Sequence, residues 1–144
     1  MNYINYHFDE IESTNDFAKE KAKTENSNFT VTASLQTKGR GRKGRTFFSP
    51  KGAGLYLSIA VNLNISFEEF PKITTYTAVC VARAIEKLTS LKIDIKWVND
   101  LYVNGKKLCG ILTEGSFSGE KTYFVIIGIG VNLLKSSFPE EIKD

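Results

Sequence analysis

The run KGRGRKGRTFFSPKGAG, from Lys38 to Gly54, constrains the fold more than any other part of this chain. It holds five glycines and Pro50, and a segment of this composition cannot form one regular helix or strand. Long loops inside compact domains are usually functional. The sequence therefore predicts a long functional loop in the middle of the fold.

The same loop carries the basic character of the chain. The sequence has 19 Lys and Arg against 16 Asp and Glu, a net charge of +3. Five of the cations lie between Lys38 and Arg45, and the other 14 against 16 acids would leave −2. No acid occurs between Asn26 and Phe67. A local field of one sign favours an anionic ligand.

Length and composition exclude several classes of protein. With 144 residues, 42% apolar and 24% charged, residues 1–144 are expected to form one globular domain. The two cysteines and single histidine have no zinc-ligand spacing, so we predict reduced thiols and no metal cluster. Neither a secretion signal nor a run of 18 apolar residues occurs, which predicts a cytoplasmic protein without a membrane association.

Residue patterns predict the order of the elements. Strands are expected near residues 3–8, 29–36, 55–63 and 93–97, with helices after the cap residues 13–15 and over 71–88. In the second helix, the predicted apolar face consists of Thr77, Cys80, Val81, Ala84, Ile85 and Leu88. Asn104-Gly105 predicts a hairpin turn, and residues 122–133 a central strand covered on both sides. This order predicts an α+β fold with a mixed, largely antiparallel sheet.

Two glycines interrupt the predicted central strand. Gly128, Gly130 and Asn132 share one face because side chains alternate along a strand. That face would offer bare backbone and one amide to a flat ligand. Close packing of a helix explains the same glycines, and for this segment alone it is the better-supported interpretation.

Two other segments carry groups suited to anions. Gly39 to Gly44 matches G-x-G-x-x-G, but the residues after it break a helix, so we reject a dinucleotide-binding fold. The loop's arginines offer forked donors to phosphate or carboxylate, although a solvated loop or a nucleic-acid arm would look the same. Lys96 and Lys107 could converge on one ligand beside Asp100, but Asn-Asp is also a common turn pair.

Taken together and in this order, the segments resemble biotin protein ligases. The matching segments are Ser13-Thr14-Asn15, Gln36 before Gly39, GRGRKGR with FFSPKGAGLYLS, KWVNDLYVNGKKLCGIL with Glu114, and GIGVN at 128–132. The resemblance implies a class II synthetase-like biotin/lipoate ligase catalytic fold, with helices packed mainly on one face of the sheet. It also implies activation of biotin by ATP and Mg²⁺, and transfer to a lysine of a biotin carrier protein such as a carboxylase subunit.

The resemblance also implies roles for individual residues. Biotin would be bound by Ser13, Thr14, Asn15, Gln36, Arg40, Gly41, Arg42 and Lys107. ATP and the adenylate would be bound by Arg40, Arg42, Arg45, Phe47, Asn99 and Asn132. The catalytic groups would be Lys107, Arg42, Lys96 and Asp100, with Asp100 orienting the acceptor amine or acting as its base.

The sequence departs from the family pattern in several places. Val98 stands in place of a usual proline and Phe47 in place of a usual tryptophan. No winged helix precedes Met1, so DNA binding is not expected, and the chain is expected to be a catalytic domain truncated at its C-terminus. A homodimer through sheet edges is implied by analogy. The alternatives are a lipoate or octanoyl transferase, whose Arg-Arg-x-Ser-Gly-Gly-Gly loop is absent here, a weakly catalytic biotin-binding protein, and a basic nucleic-acid binder.

Overall fold

A computed structural model describes residues 4–118 and 121–134. The strands are β1 (Ile4–Phe8), β2 (Phe29–Ala33), β3 (Gly54–Val61), β4 (Asp94–Lys96), β5 (Asp100–Val103), β6 (Lys106–Ser118) and β7 (Lys121–Asn132). The helices are α1 (Thr14–Lys21), after β1, and α2 (Phe70–Thr89), after β3. Neither described helix is long and apolar enough to cross a membrane. The residues Ser-Gly-Glu-Lys at 118–121 also predict a turn, which falls partly outside the described residues.

The seven strands form one sheet in the order β1-β2-β3-β7-β6-β5-β4. β1 and β2 run parallel, and each of the other neighbouring pairs is antiparallel. The prediction of a mixed, largely antiparallel sheet is therefore confirmed. β7 lies between β3 and β6, as expected for a nearly continuous apolar strand.

One face of the sheet, which we call the site face, carries Ser58 of β3 and Gly128 of β7, which pair across the ladder. α1 packs on this face, where Ala18 belongs to a buried cluster with Ala60 and Ile126. The side chains of β7 alternate between the faces, so Ile126 supports α1 and its neighbours along the strand point the other way.

The opposite face is covered by α2, whose Ala78 and Ala82 are buried against Ile111 and Ile129. The expectation that the helices pack mainly on one face is therefore wrong for the two described helices. The reason lies in β7, which is apolar on both sides, so each face needs its own cover.

The buried face of α2 matches the predicted one only in part: Val81 and Ile85 pack against the core as predicted, but its most buried residues are different ones. Thr74, Ala78 and Ala82 are buried, whereas Cys80 and Leu88 are exposed. Small residues spaced four apart allow the helix to lie close to the sheet. A pattern search weighted toward large apolar residues misses such a face and places it one position away.

The two cysteines provide a simple test of this packing. Cys80 is exposed on α2, and Cys109 is buried beneath it, where burial raises the pKa of the thiol to about 12. Because alkylation needs an accessible thiolate, we expect iodoacetamide at about pH 8 to modify Cys80 alone in the folded protein. Mass spectrometry should find Cys109 modified only after denaturation. Equal rates at the two thiols would contradict the position of α2.

Candidate active site

A cavity of about 310 Å³ opens on the site face, between the start of α1, the basic loop and strands β5 to β7. Most of the predicted site residues line it. They are Ser13, Thr14, Asn15, Gln36, Arg40, Gly41, Arg42, Arg45, Phe47, Asn99, Asp100 and Lys107. The fold therefore brings together groups from segments that are far apart in the sequence.

The start of α1 supplies the buried wall of the cavity. Ser13 is the N-cap of the helix, and its hydroxyl accepts a hydrogen bond of 3.3 Å from the Asp16 backbone N–H. The next residue, Thr14, donates from both its backbone N–H (2.9 Å) and its hydroxyl (3.0 Å) to Gln36 Oε1. Gln36 Nε2 donates in turn to Ser49 Oγ at 2.8 Å. The cap therefore fixes the helix end and orders the polar wall.

Asn15 connects this wall to the sheet. Its Oδ1 accepts a bond of 2.6 Å from Ser58 Oγ, and its Nδ2 donates to Glu114 Oε2 at 3.0 Å. A Cβ atom on Gly128 would lie 2.2 Å from Asn15 Oδ1, so only a glycine leaves room for this amide. Of the two interpretations of Gly128, close helix packing is therefore the one that the structure supports.

Charged groups lie nearer the mouth of the cavity. Lys107 Nζ is 2.9 Å from Asp100 Oδ2, and Asp100 Oδ1 accepts a bond of 2.9 Å from Asn99 Nδ2. Arg42 donates to Asn99 Oδ1 at 3.0 Å. Two of the predicted cations, Arg42 and Lys107, thus converge, and each is held by a polar partner that an anionic ligand could replace.

A β-bulge directs Lys107 toward the cavity. The register between β5 and β6 shifts between Leu101 and Tyr102. Leu101 is paired with Cys109, but Tyr102 is paired with Lys107. Strict alternation would have put Lys107 on the same face as Cys109, under α2. The extra residue turns its side chain onto the site face, where its Cε lies 3.5 Å from the position of a Cβ on Gly110.

Phe47 covers the bare strand surface around Gly130 that we predicted would receive a flat ligand. We call this surface the floor of the cavity. A Cβ on Gly130 would be 2.4 Å from its ring, and one on Gly110 would be 3.1 Å from it. Gly110 and Gly130 pair across β6 and β7, so the floor is wider than the glycines of β7 alone. In this structure the ring occupies the space in which we expected a flat ligand.

Two predicted residues do not line the cavity. Lys96 is exposed, and its ammonium lies 5.3 Å from the centre of the Tyr102 ring. Asn132 lies at the end of β7 and donates to the backbone carbonyl of Lys107 at 3.3 Å. The structure therefore does not support a position for Lys96 at the reaction centre, because its ammonium lies over the Tyr102 ring instead.

We call residues 39–47 the flap. Its tip is a tight turn in which Lys43 and Gly44 have φ of 56° and 73°, and Gly41 N–H donates to the Arg45 carbonyl at 2.7 Å. Its base is closed by a bond of 2.8 Å from Phe47 N–H to the Gly39 carbonyl. The predicted long loop is thus partly ordered as a small hairpin beside the cavity.

Sequence reasoning missed several groups of the site. Ser49 and Ser58 are buried and hold Gln36 and Asn15 in place, and Gly110 extends the floor. For Ser58 a signal was available, because a hydroxyl in the middle of the apolar strand LYLSIAV needs a partner. Gly110, inside a predicted strand, carries the same kind of signal.

Comparison with known proteins agrees with this geometry. The model of the biotin/lipoate A/B protein ligase family matches residues 7–132. The bifunctional ligase/repressor BirA of Bacillus spizizenii is 41% identical over 139 residues, which cover 94% of this chain and 43% of that protein. The chain thus spans less than half the length of this relative.

Solved structures give the same result. Biotin protein ligase from Leishmania major in complex with biotinyl-5-AMP superposes with a TM-score of 0.80 at 28% identity, covering 99% of this chain and 62% of that one. The ligase from Aquifex aeolicus in complex with biotin and ATP gives 0.75 at 36% identity, covering 98% and 57%. The chain described here therefore belongs to the biotin/lipoate A/B protein ligase family.

Proposed function

We propose that this chain is the catalytic part of an ATP-dependent biotin ligase. It would join biotin to ATP as biotinyl-5'-AMP with release of pyrophosphate, and then transfer the biotinyl group to a lysine of a biotin carrier protein. Both named structural relatives were solved with one or more of these small molecules bound.

The observation that carries the proposal is the division of one cavity into two chemical regions. Its inner wall offers neutral groups, the buried Thr14 and Asn15 and the half-buried Gln36, while its mouth offers the cations Arg42 and Lys107. A neutral hydrogen-bonding ring joined to a carboxylate, as in biotin, matches both regions. A fatty acid, which has no hydrogen-bonding ring, would match only the cationic mouth.

In the first step, the biotin carboxylate oxygen would attack the α-phosphorus of ATP and pyrophosphate would leave. Two anions must approach each other, and fixed cations at the point of approach offset their repulsion. Lys107 would exchange Asp100 for the incoming anions, and Arg42 would exchange Asn99. The cations are already positioned, so little reorganisation is needed when the ligands enter.

In the second step, the acceptor lysine amine would attack the acyl carbon and AMP would leave. The amine must first lose its proton, and Asp100 is the carboxylate that lines the cavity. Once Lys107 has turned to the phosphate, this carboxylate becomes available to orient the amine. The flap, whose residues line the cavity, would exclude water, which competes with the amine for the activated acyl group.

Mg²⁺ would enter with the triphosphate. Among residues 4–118 and 121–134 no group of three or more His, Cys, Asp and Glu side chains is arranged to hold a metal. Mg²⁺ that accompanies nucleotides commonly takes one or two carboxylates together with phosphate oxygens. Of the cavity residues, Asp100 fits that role, and the metal would neutralise phosphate charge.

The proposal is tested by pyrophosphate release. We expect the purified chain to release pyrophosphate when biotin and MgATP are both present, and not when either is omitted. Titration calorimetry should show biotin binding that strengthens in the presence of ATP. Transfer is then measured with a biotin carrier domain and with the same domain after its acceptor lysine is replaced by alanine.

Each alternative has a distinct outcome. Release with lipoate or octanoate in place of biotin would identify a transferase or ligase for those acids. Biotin binding with release equal to the no-enzyme rate would identify a binding protein. Loss of RNA or DNA retention in Arg40→Ala plus Arg42→Ala, with no biotin binding in the unmodified chain, would identify a nucleic-acid protein.

A further inference from the structure

Arg40 differs from Arg42 and Lys107 because two carboxylates, from two different elements, hold it. Its guanidinium donates to Asp16 Oδ1 on α1 and lies 3.4 Å from Glu114 Oε1 on β6. The hydrogen bond to Asp16 raises the pKa of this guanidinium. Because two carboxylates are its partners, Arg40 would have to give up these ion pairs to bind a phosphate.

We propose that Asp16 and Glu114 are positioning residues that fasten the flap to α1 and β6 through Arg40, and so set how long the adenylate is retained. This inference rests on the proposed function only where it concerns the adenylate. The fastening itself is a property of the protein without ligand. We call the three side chains the latch.

The position of Arg40 within the flap makes the latch effective. Arg40 pairs with Thr46 in an isolated bridge next to the bond between Gly39 and Phe47. Fixing Arg40 therefore fixes the base of the flap and the aromatic ring that covers Gly130. The tip, which carries Arg42, is attached separately through Asn99.

The attachment of the flap tip through Arg42 is easier for a ligand to displace than the attachment of its base through Arg40. Arg42 is held by a neutral amide, which an anion can displace at low cost. Arg40 is held by carboxylates, and Glu114, with 17% of its side chain exposed, is also fixed by Asn15. Charge-assisted bonds are the stronger ones. The base would thus stay fastened while the tip moves to the ligand.

The latch can be measured without any ligand by tryptic cleavage after Arg42, Lys43 and Arg45, read by mass spectrometry. We expect Asp16→Asn to raise the initial cleavage rate at these sites roughly two- to fivefold, the effect of losing a partly exposed ion pair. Glu114→Gln should act in the same direction. The matched control is Glu12→Gln, which removes an exposed ion pair with Lys38 at 2.7 Å just before the flap and should leave these rates unchanged.

Repeating the substitution in the Arg40→Gln variant separates the latch from a general effect of Asp16 on α1. Asp16 lies in the first turn of α1, so its loss also weakens the helix. This part of the effect of Asp16→Asn persists when Arg40 is absent. In Arg40→Gln the cleavage rate should already be raised, and adding Asp16→Asn should raise it by much less than Asp16→Asn does in the unmodified chain. Dissociation of biotinyl-5'-AMP should follow the same pattern, faster by roughly two- to fivefold in Asp16→Asn alone.

The outcomes distinguish the two proposals. If the chain neither forms nor binds biotinyl-5'-AMP, the proposed function fails and the cleavage rates still decide the latch. If Asp16→Asn leaves cleavage unchanged, or raises it equally with and without Arg40, the latch is overturned even where the ligase activity stands. Faster cleavage with unchanged adenylate dissociation would overturn its role in retention.

Discussion

Replacing Lys107 with alanine is expected to lower pyrophosphate release from biotin and ATP by roughly 10²- to 10³-fold, as for loss of a donor that stabilises developing charge. The lysine pairs with Asp100 at 2.9 Å in the protein without ligand. Its removal takes away a cation and also leaves the Asp100 carboxylate facing two incoming anions. Both effects act on the same step, so the loss should appear in single-turnover formation of biotinyl-5'-AMP.

The hairpin provides a matched control for this prediction. Lys106 is the neighbouring exposed lysine, and it does not line the cavity, so Lys106→Ala should retain nearly full activity. Equal losses from Lys106→Ala and Lys107→Ala would show that overall charge matters and position does not. Activity of Lys107→Ala close to that of the unmodified chain would refute its role at the reaction centre.

Lys107 also shows where prediction from this sequence stops. The hairpin around Asn104-Gly105 was predictable, and the structure confirms the turn, with φ of 49° and 74° at these two residues. Local residue preferences specify such a turn. The bulge after it depends on how β5 and β6 align, and no residue pattern within one strand encodes that alignment. The resemblance named Lys107, but only the structure explains how it reaches the site face.

The partners of the charged residues show the same limit of prediction from sequence. The basic loop was visible because its residues are consecutive. The acids beside it, Glu12, Asp16 and Glu114, come from the region before α1, from α1 and from β6. Long-range ion pairs depend on the whole fold, so a field calculated from consecutive residues overstates the charge that a ligand would meet. The resemblance implied that Arg40 binds biotin and the adenylate, and the ion pairs that hold it in the protein without ligand were not visible in the sequence.

The faces of the elements were partly predictable for a related reason. Alternation along β7 correctly indicated that Gly128, Gly130 and Asn132 share a face. It did not indicate what would cover that face, because Asn15 and Phe47 arrive from distant segments. A strand pattern defines two sides of a sheet, but the partners of each side depend on the connections between elements.

Gly128→Ala is expected to have the second large effect, on stability and on binding together. The new Cβ would lie 2.2 Å from Asn15 Oδ1 and 2.8 Å from its Cγ, well inside contact distance. Either the first turn of α1 shifts or the Asn15 amide turns away, which breaks its bond with the buried Ser58 hydroxyl and leaves that hydroxyl with Thr14 Oγ1, at 2.8 Å, as its acceptor. Overpacking and the loss of this hydrogen bond together cost about 2–4 kcal/mol. For a chain of this size, this corresponds to a fall in Tm on the order of 10 °C.

The contact itself can be isolated by removing the other partner. In an Asn15→Ala background the amide is absent, so adding Gly128→Ala should cost much less than it does in the unmodified chain. Calorimetric unfolding of the four proteins gives this coupling directly, and neighbouring residues that share a contact are expected to be non-additive. Biotin affinity should fall in Gly128→Ala because Thr14 moves with the helix turn. If Gly128→Ala costs the same in both backgrounds, the close contact between α1 and β7 does not determine the shape of the cavity wall.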